Sequence, residues 1–172
     1  LLYGQFLFNA FYLGFSIGIS PIVGYQYGAG NRKELKRIYR ISFRFVSISS
    51  VIIAFAAVYL SSGIVTIFTD DPKTHALAVT GFGIFAYNFL FSGFNIASSG
   101  FFTALSDGKS SAIISFCRTL LFTVISLLVL PQFFGVNGAW LAIPVAEFVT
   151  LLLCIGMHRK YFYVEGMQNY FH

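Results

Sequence analysis

The 172-residue chain is 57% hydrophobic and only 10% charged, against roughly 25% charged residues in an ordinary soluble domain, so it cannot keep a globular surface wet. Its mean hydropathy is +0.78, and apolar runs of about 18 or more residues follow one another along the chain, which excludes a soluble enzyme and predicts an all-α, polytopic transmembrane bundle of about five spanning helices. A net charge of +5 invites a nucleic-acid reading, but the cations lie between and beside the apolar runs, which removes that partner.

The first span is expected over about residues 2–23, ending near Pro21 and the turn-rich Gly28-Ala29-Gly30. The chain opens inside this apolar stretch with Leu1, so its natural start is expected upstream. Nothing positive precedes the span and no small-residue cleavage pattern follows it, so it is expected to stay in the membrane. Asn31 and Glu34 have the spacing of a capping box and turn the loop directly into a second span, about residues 41–68, free of charge after Arg44. Asp71-Pro72 is an N-cap followed by proline at the first helical position, opening span three at about residues 76–103. Asp107-Gly108 makes a turn before span four, about residues 110–130. Pro131, Gly135 and Asn137-Gly138 mark the last turn before span five, about residues 138–157.

Lysine and arginine set the orientation, because short cytoplasmic loops carry their excess. Arg32, Lys33, Lys36, Arg37 and Arg40 follow span one. The next loop has Lys73 beside Asp70 and Asp71, the third has Lys109, the fourth none, and Arg159 and Lys160 follow span five. This alternation puts the Arg32 loop, the Lys109 loop and the C-terminus in the cytoplasm, in a multi-pass protein of the plasma (inner) membrane. The basic run through Arg44 reads as a topology signal in contact with membrane lipids. A self-alignment pairs Asn9 with Asn88, Gly14 with Gly93, Phe15 with Phe94, Ile17 with Ile96 and Ser20 with Ser99. Duplication of a helical hairpin and plain similarity of hydropathy both account for it.

Gly18-Ile19-Ser20-Pro21-Ile22-Val23-Gly24-Tyr25-Gln26-Tyr27-Gly28-Ala29-Gly30-Asn31 resembles the end of the eighth helix of multidrug and toxic compound extrusion (MATE) transporters. Arg118, Leu130-Pro131, Phe134-Gly135, Val136-Asn137-Gly138-Ala139-Trp140 and Pro144-Val145-Ala146-Glu147 resemble the family's last two helices. The resemblance implies helices eight to twelve of a twelve-helix fold: a partial C-terminal lobe over residues 1–157, a cytoplasmic tail over 158–172, and a partner in the missing N-terminal lobe of the same chain. It also implies export of small cationic or amphipathic molecules in exchange for H+ or Na+, with no enzymatic activity and no cofactor. Some branches of the family carry an acidic residue in helix ten. Span three has none between Ala76 and Thr103, so a sodium site of that type is not expected. A lipid-linked oligosaccharide flippase of the same superfamily is the alternative transporter, and a non-transporting scaffold subunit binding a partner through its tail is the alternative outside transport.

Glu147 and Arg118 are the ionisable residues at membrane depth, each costing at least ~2.5–3.5 kcal/mol to insert. Their distances from the span ends put them at similar depths on neighbouring antiparallel helices, where they are able to pair. The pair is read either as a cation-coupling site or as a structural bridge between spans four and five. Gln5, Asn9, Tyr87 and Asn88 are candidate cavity-lining residues, with interhelical hydrogen bonding as the alternative. Pro21 and Pro144 are candidate kinks or hinges. Cys117 and Cys154 are expected to pack, and His75, His158 and His172, scattered at membrane edges and in the tail, have no metal-ligand spacing. No phosphate loop, nucleotide fingerprint or nucleophile elbow is present.

Overall fold

The computed structural model describes residues 2–68 and 71–164; Leu1, Thr69, Asp70 and the tail from residue 165 to His172 lie outside the described residues. Among the described residues five α-helices follow in order: α1 (Leu2–Gly28), α2 (Arg32–Phe68), α3 (Pro72–Ala104), α4 (Gly108–Phe116) and α5 (Phe122–Val164), with a π-helical turn at Cys117–Leu121 joining the last two.

The connections are short because side chains and glycines close the helix ends. Past α1, Gly30 takes φ 66°, a left-handed conformation that costs glycine least. It lets Asn31 N–H reach back to the Gln26 carbonyl at 3.0 Å. Asn31 Oδ1 then accepts from Glu34 N–H at 3.3 Å, so one residue ends a helix and caps the next. Asp71 caps α3, accepting from Thr74 N–H at 2.8 Å and from its hydroxyl. Asp107, expected only as a turn residue, caps α4 through Ser110 N–H at 3.0 Å. Those hydrogen bonds hold both carboxyls below the usual carboxylate range.

Among the described residues four helical segments are long enough and apolar enough to cross a bilayer. The last apolar segment, Gly108–Phe162, is 55 residues long, yet it does not run straight. Gly135 has φ 56° and ψ −134°, a combination essentially reserved for glycine. In a straight helix residues 118 and 147 would lie about 43 Å apart, but their side chains meet at 2.7 Å. The segment therefore folds back at Gly135 into two antiparallel arms. A Cβ on Gly138 would run into the Leu130 carbonyl and lie 2.8 Å from Pro131 Cα, so the reversal needs a bare backbone there. The break lies at Gly135 and not at Pro144 or Pro131, both of which lie inside helix. Pro21 likewise sits within α1, which continues to Gly28.

Helix α3 is the centre of the bundle, packed against α1, α2, α4 and α5. Its glycines admit neighbours: a Cβ on Gly81 would lie 2.6 Å from the Trp140 ring, and one on Gly93 would lie 2.6 Å from Ser50 Oγ and 2.9 Å from the Tyr12 ring. Tyr12, fully buried, ties α1 to α2 by hydrogen bonds to Ser49 Oγ (2.8 Å) and Ser50 Oγ (3.1 Å). At one end of the bundle Tyr39, Phe43, Phe101, Phe102 and Phe162 gather around His158. His158 was expected at a membrane edge or in the tail. Instead it is buried because α5 continues past Met157 to Val164, and its Nε2 lies 3.0 Å from Ser98 Oγ. Arg32 to Arg40, Lys109, Arg159 and Lys160 belong to this same end, whereas Lys73 lies at the other.

Candidate functional site

Arg118 stands in the π-helical turn, and the wider turn changes what its backbone and side chain reach. The Phe122 N–H bonds back to the Cys117 carbonyl, and the Thr123 hydroxyl donates to the Arg118 carbonyl at 2.7 Å. Such insertions recur where a helix must aim a functional side chain. Arg118 Nε donates to Glu147 Oε1 at 2.7 Å. The side-chain exposures are 19% for Arg118 and 5% for Glu147, so one partner reaches an opening and the other is enclosed. From α3, Asn95 Nδ2 donates to Glu147 Oε2 at 2.7 Å and to the Glu147 backbone carbonyl at 2.8 Å. Both carboxylate oxygens are thus engaged, by groups from two neighbouring helical segments.

Asn95 escapes a reading of the sequence because the internal alignment keeps Gly93-Phe94 and Ile96 and passes over the position between them. Its signal was available in a polar stripe, Asn88, Ser92, Asn95 and Ser98, at helical spacing along α3. All four are fully buried. Facing them along α5 are Glu147, Thr150, Cys154 and His158, also buried and also at helical spacing. The interface of α3 with the second arm of α5 is therefore a polar seam inside an apolar bundle. Asn88, Ser92 Oγ, Asn95 Oδ1 and His158 Nδ1 have buried polar atoms without a hydrogen-bond partner among the described residues, the condition under which ordered water is accommodated.

A crevice of about 250 Å³ between α1, α3 and α4 reaches Arg118. Its walls carry Ser16, Ser20, Ser99, Thr103 and Ser115 alongside Leu13, Ile17 and Ile96. Ser99 Oγ hydrogen-bonds with Ser111 Oγ and Ser115 Oγ at 2.9 Å each, and Thr103 Oγ1 donates to Ser111 Oγ at 2.7 Å. This hydroxyl lining runs from the Asp107 end of the bundle to the guanidinium.

The other expected site residues are not brought together. Asn88 is in the seam, Tyr87 is 60% exposed, and Gln5 and Asn9 are half-buried on α1. None of them lines the crevice at Arg118. Among the described residues no three His, Cys, Asp or Glu side chains gather as a metal would need.

The MatE family model matches residues 4–128. This chain belongs to the MatE family. Comparison of the fold agrees: a crystal structure of a mutant of the Vibrio cholerae MATE transporter VcmN superposes with TM-score 0.85 at 17% identity, over 95% of this chain and 38% of that one. The bent form of VcmN gives TM-score 0.82 at 17% identity over 96% of this chain and 39% of that one. The outward-facing conformation of a multidrug resistance MATE family transporter of the MOP superfamily gives 0.81 at 16% identity, over 89% and 35%. The chain thus spans less than two fifths of these transporters. The comparison with curated proteins gave no match.

Proposed function

We propose that this chain forms helices eight to twelve, in the C-terminal lobe, of a secondary active antiporter that exports small cationic or amphipathic compounds in exchange for protons or sodium. On this reading the protein belongs to the plasma (inner) membrane, and the sided distribution of lysine and arginine supports a cytoplasmic C-terminus. The MatE membership supports transport, and the Arg118–Glu147–Asn95 site carries the coupling reading.

Arg118 and Asn95 supply the compensating charge and hydrogen bonds that an enclosed carboxylate needs. Taking up a proton breaks the ion pair and leaves Arg118 without its counter-ion, so the two protonation states favour different arrangements of the α5 hairpin against α3. That is the differential free energy a coupled transporter needs. The hydroxyl-lined crevice supports access of water to the guanidinium side of the pair. With both Glu147 oxygens engaged and a cation at 2.7 Å, the site favours a proton over sodium, since sodium requires several free oxygen ligands.

The double hydrogen bond from Asn95 also supports a second reading, a fixed bridge joining the arms of the hairpin to α3. Dye efflux by the full-length protein in proteoliposomes separates the two, driven in turn by a proton and by a sodium gradient. The coupling reading expects proton-driven efflux that Glu147→Gln abolishes while the protein remains folded. Normal proton-driven efflux by a folded Glu147→Gln protein would leave only the fixed bridge.

A further inference from the structure

Lys36, Arg40 and Arg44 stand at i, i+4 and i+8 on α2, one above another over about 12 Å of helix. They line a groove of about 350 Å³ together with Tyr39, Phe43, Ser47 and Ile48. Like charges at this spacing repel. Glu34, the nearest acidic residue in sequence, is engaged with Arg37 at 3.8 Å, and no ion pair to Arg40 or Arg44 occurs among the described residues. The groove also has a direction. Residues 45–68 are free of charge and span about 36 Å of helix, enough to fill a hydrocarbon core about 30 Å thick. Arg44 therefore sits at the edge of the hydrocarbon and Lys36 outside it. Below Arg44, on the same side of the helix, Ile48 (62%), Ile52 (62%) and Phe55 (72%) are exposed.

We infer that this groove is a binding site for an anionic phospholipid: the phosphodiester bridges Arg40 and Arg44, Lys36 faces the rest of the headgroup, and an acyl chain follows Ile48, Ile52 and Phe55. The order of chemistry along the helix, cationic then apolar, matches that of a phospholipid entering the bilayer. Basic pockets at the membrane surface hold such headgroups by charge. A nucleic acid would meet the cations but has no use for the apolar track.

Native mass spectrometry of the full-length protein tests the site without reference to transport. Detergent-purified protein is supplied with phosphatidylglycerol or phosphatidylcholine, and retained lipid is counted. The expected result is retention of phosphatidylglycerol above phosphatidylcholine. Arg40→Gln with Arg44→Gln lowers it about thirtyfold, whereas Arg37→Gln leaves it unchanged. Equal retention of the two lipids by the unaltered protein overturns the inference, whether or not the double variant folds. So does displacement of phosphatidylglycerol by inorganic phosphate at equal concentration, which would assign the site to the free anion, or tighter binding of a single-stranded oligonucleotide than of the lipid.

Discussion

Glu147 makes three polar contacts with two partners inside an apolar bundle: one with the Arg118 guanidinium and two hydrogen bonds from Asn95. Removing one member of a buried ion pair is expected to cost about 3–5 kcal/mol, because the survivor is left without compensation, whereas replacing both by apolar residues costs far less. Glu147→Leu is therefore expected to lower the unfolding midpoint of the protein more than Arg118→Met combined with Glu147→Leu. A thermal-unfolding cycle reads this, and additive losses would show that the two side chains do not depend on each other. Asn95→Leu removes both amide hydrogen bonds at nearly constant volume, with an expected loss on the order of 2 kcal/mol in the same measurement. How much of this was legible follows from what each residue announces. Glu147 and Arg118 declare themselves by charge in apolar sequence, and the spacing of the spans brings them to one depth. Asn95 carries no charge and lies among small and aromatic residues, so only the buried stripe along α3 distinguishes it.

At the scale of elements, the helix starts were written in short local signals and the helix ends less so. Asn31, Asp71 and Asp107 are capping residues whose side chains close the first turn within three positions, and local chemistry of this kind is visible in sequence. The end of α5 was not: nothing near Met157 stops a helix, and the aromatic packing around His158 that extends it to Val164 comes from α2 and α3. The caps carry a pH dependence with a definite sign. Asp71 and Asp107 have lowered pKa values in the folded protein, so their contribution is complete above the ordinary carboxylate range and is lost as pH falls through the lowered values. Amide hydrogen exchange at Thr74 and Ser110 is therefore expected to gain relative to other first-turn amides on acidification, and Asp71→Ala or Asp107→Ala is expected to produce the same gain at neutral pH. Unchanged protection in the alanine variants would remove the caps from the account. The reversal at Gly135 makes a sharper demand, since its backbone conformation is strained for any residue with a Cβ. Gly135→Ala is expected to cost on the order of 1–3 kcal/mol of stability, read by thermal unfolding, while Gly108→Ala, with open space around it, is expected to cost less.

At the scale of the whole molecule, α3 is the element against which everything else is arranged: the Tyr12 side of α1, the basic start of α2, and the α5 hairpin that carries Glu147. The polar seam between α3 and α5 joins the ion pair to the aromatic cluster around His158, and the crevice joins its other side to the Asp107 end. On the proposed coupling, Glu147 would act where two helical segments meet the central helix. The most direct test is proton release. Purified full-length protein in a weakly buffered detergent solution is mixed with a cationic dye, and the pH is followed. Proton coupling at Glu147, as proposed, predicts release of protons on dye binding by the unaltered protein and its loss in Glu147→Gln with dye binding retained. Undiminished release from folded Glu147→Gln protein would contradict it and place the exchanged proton elsewhere in the transporter.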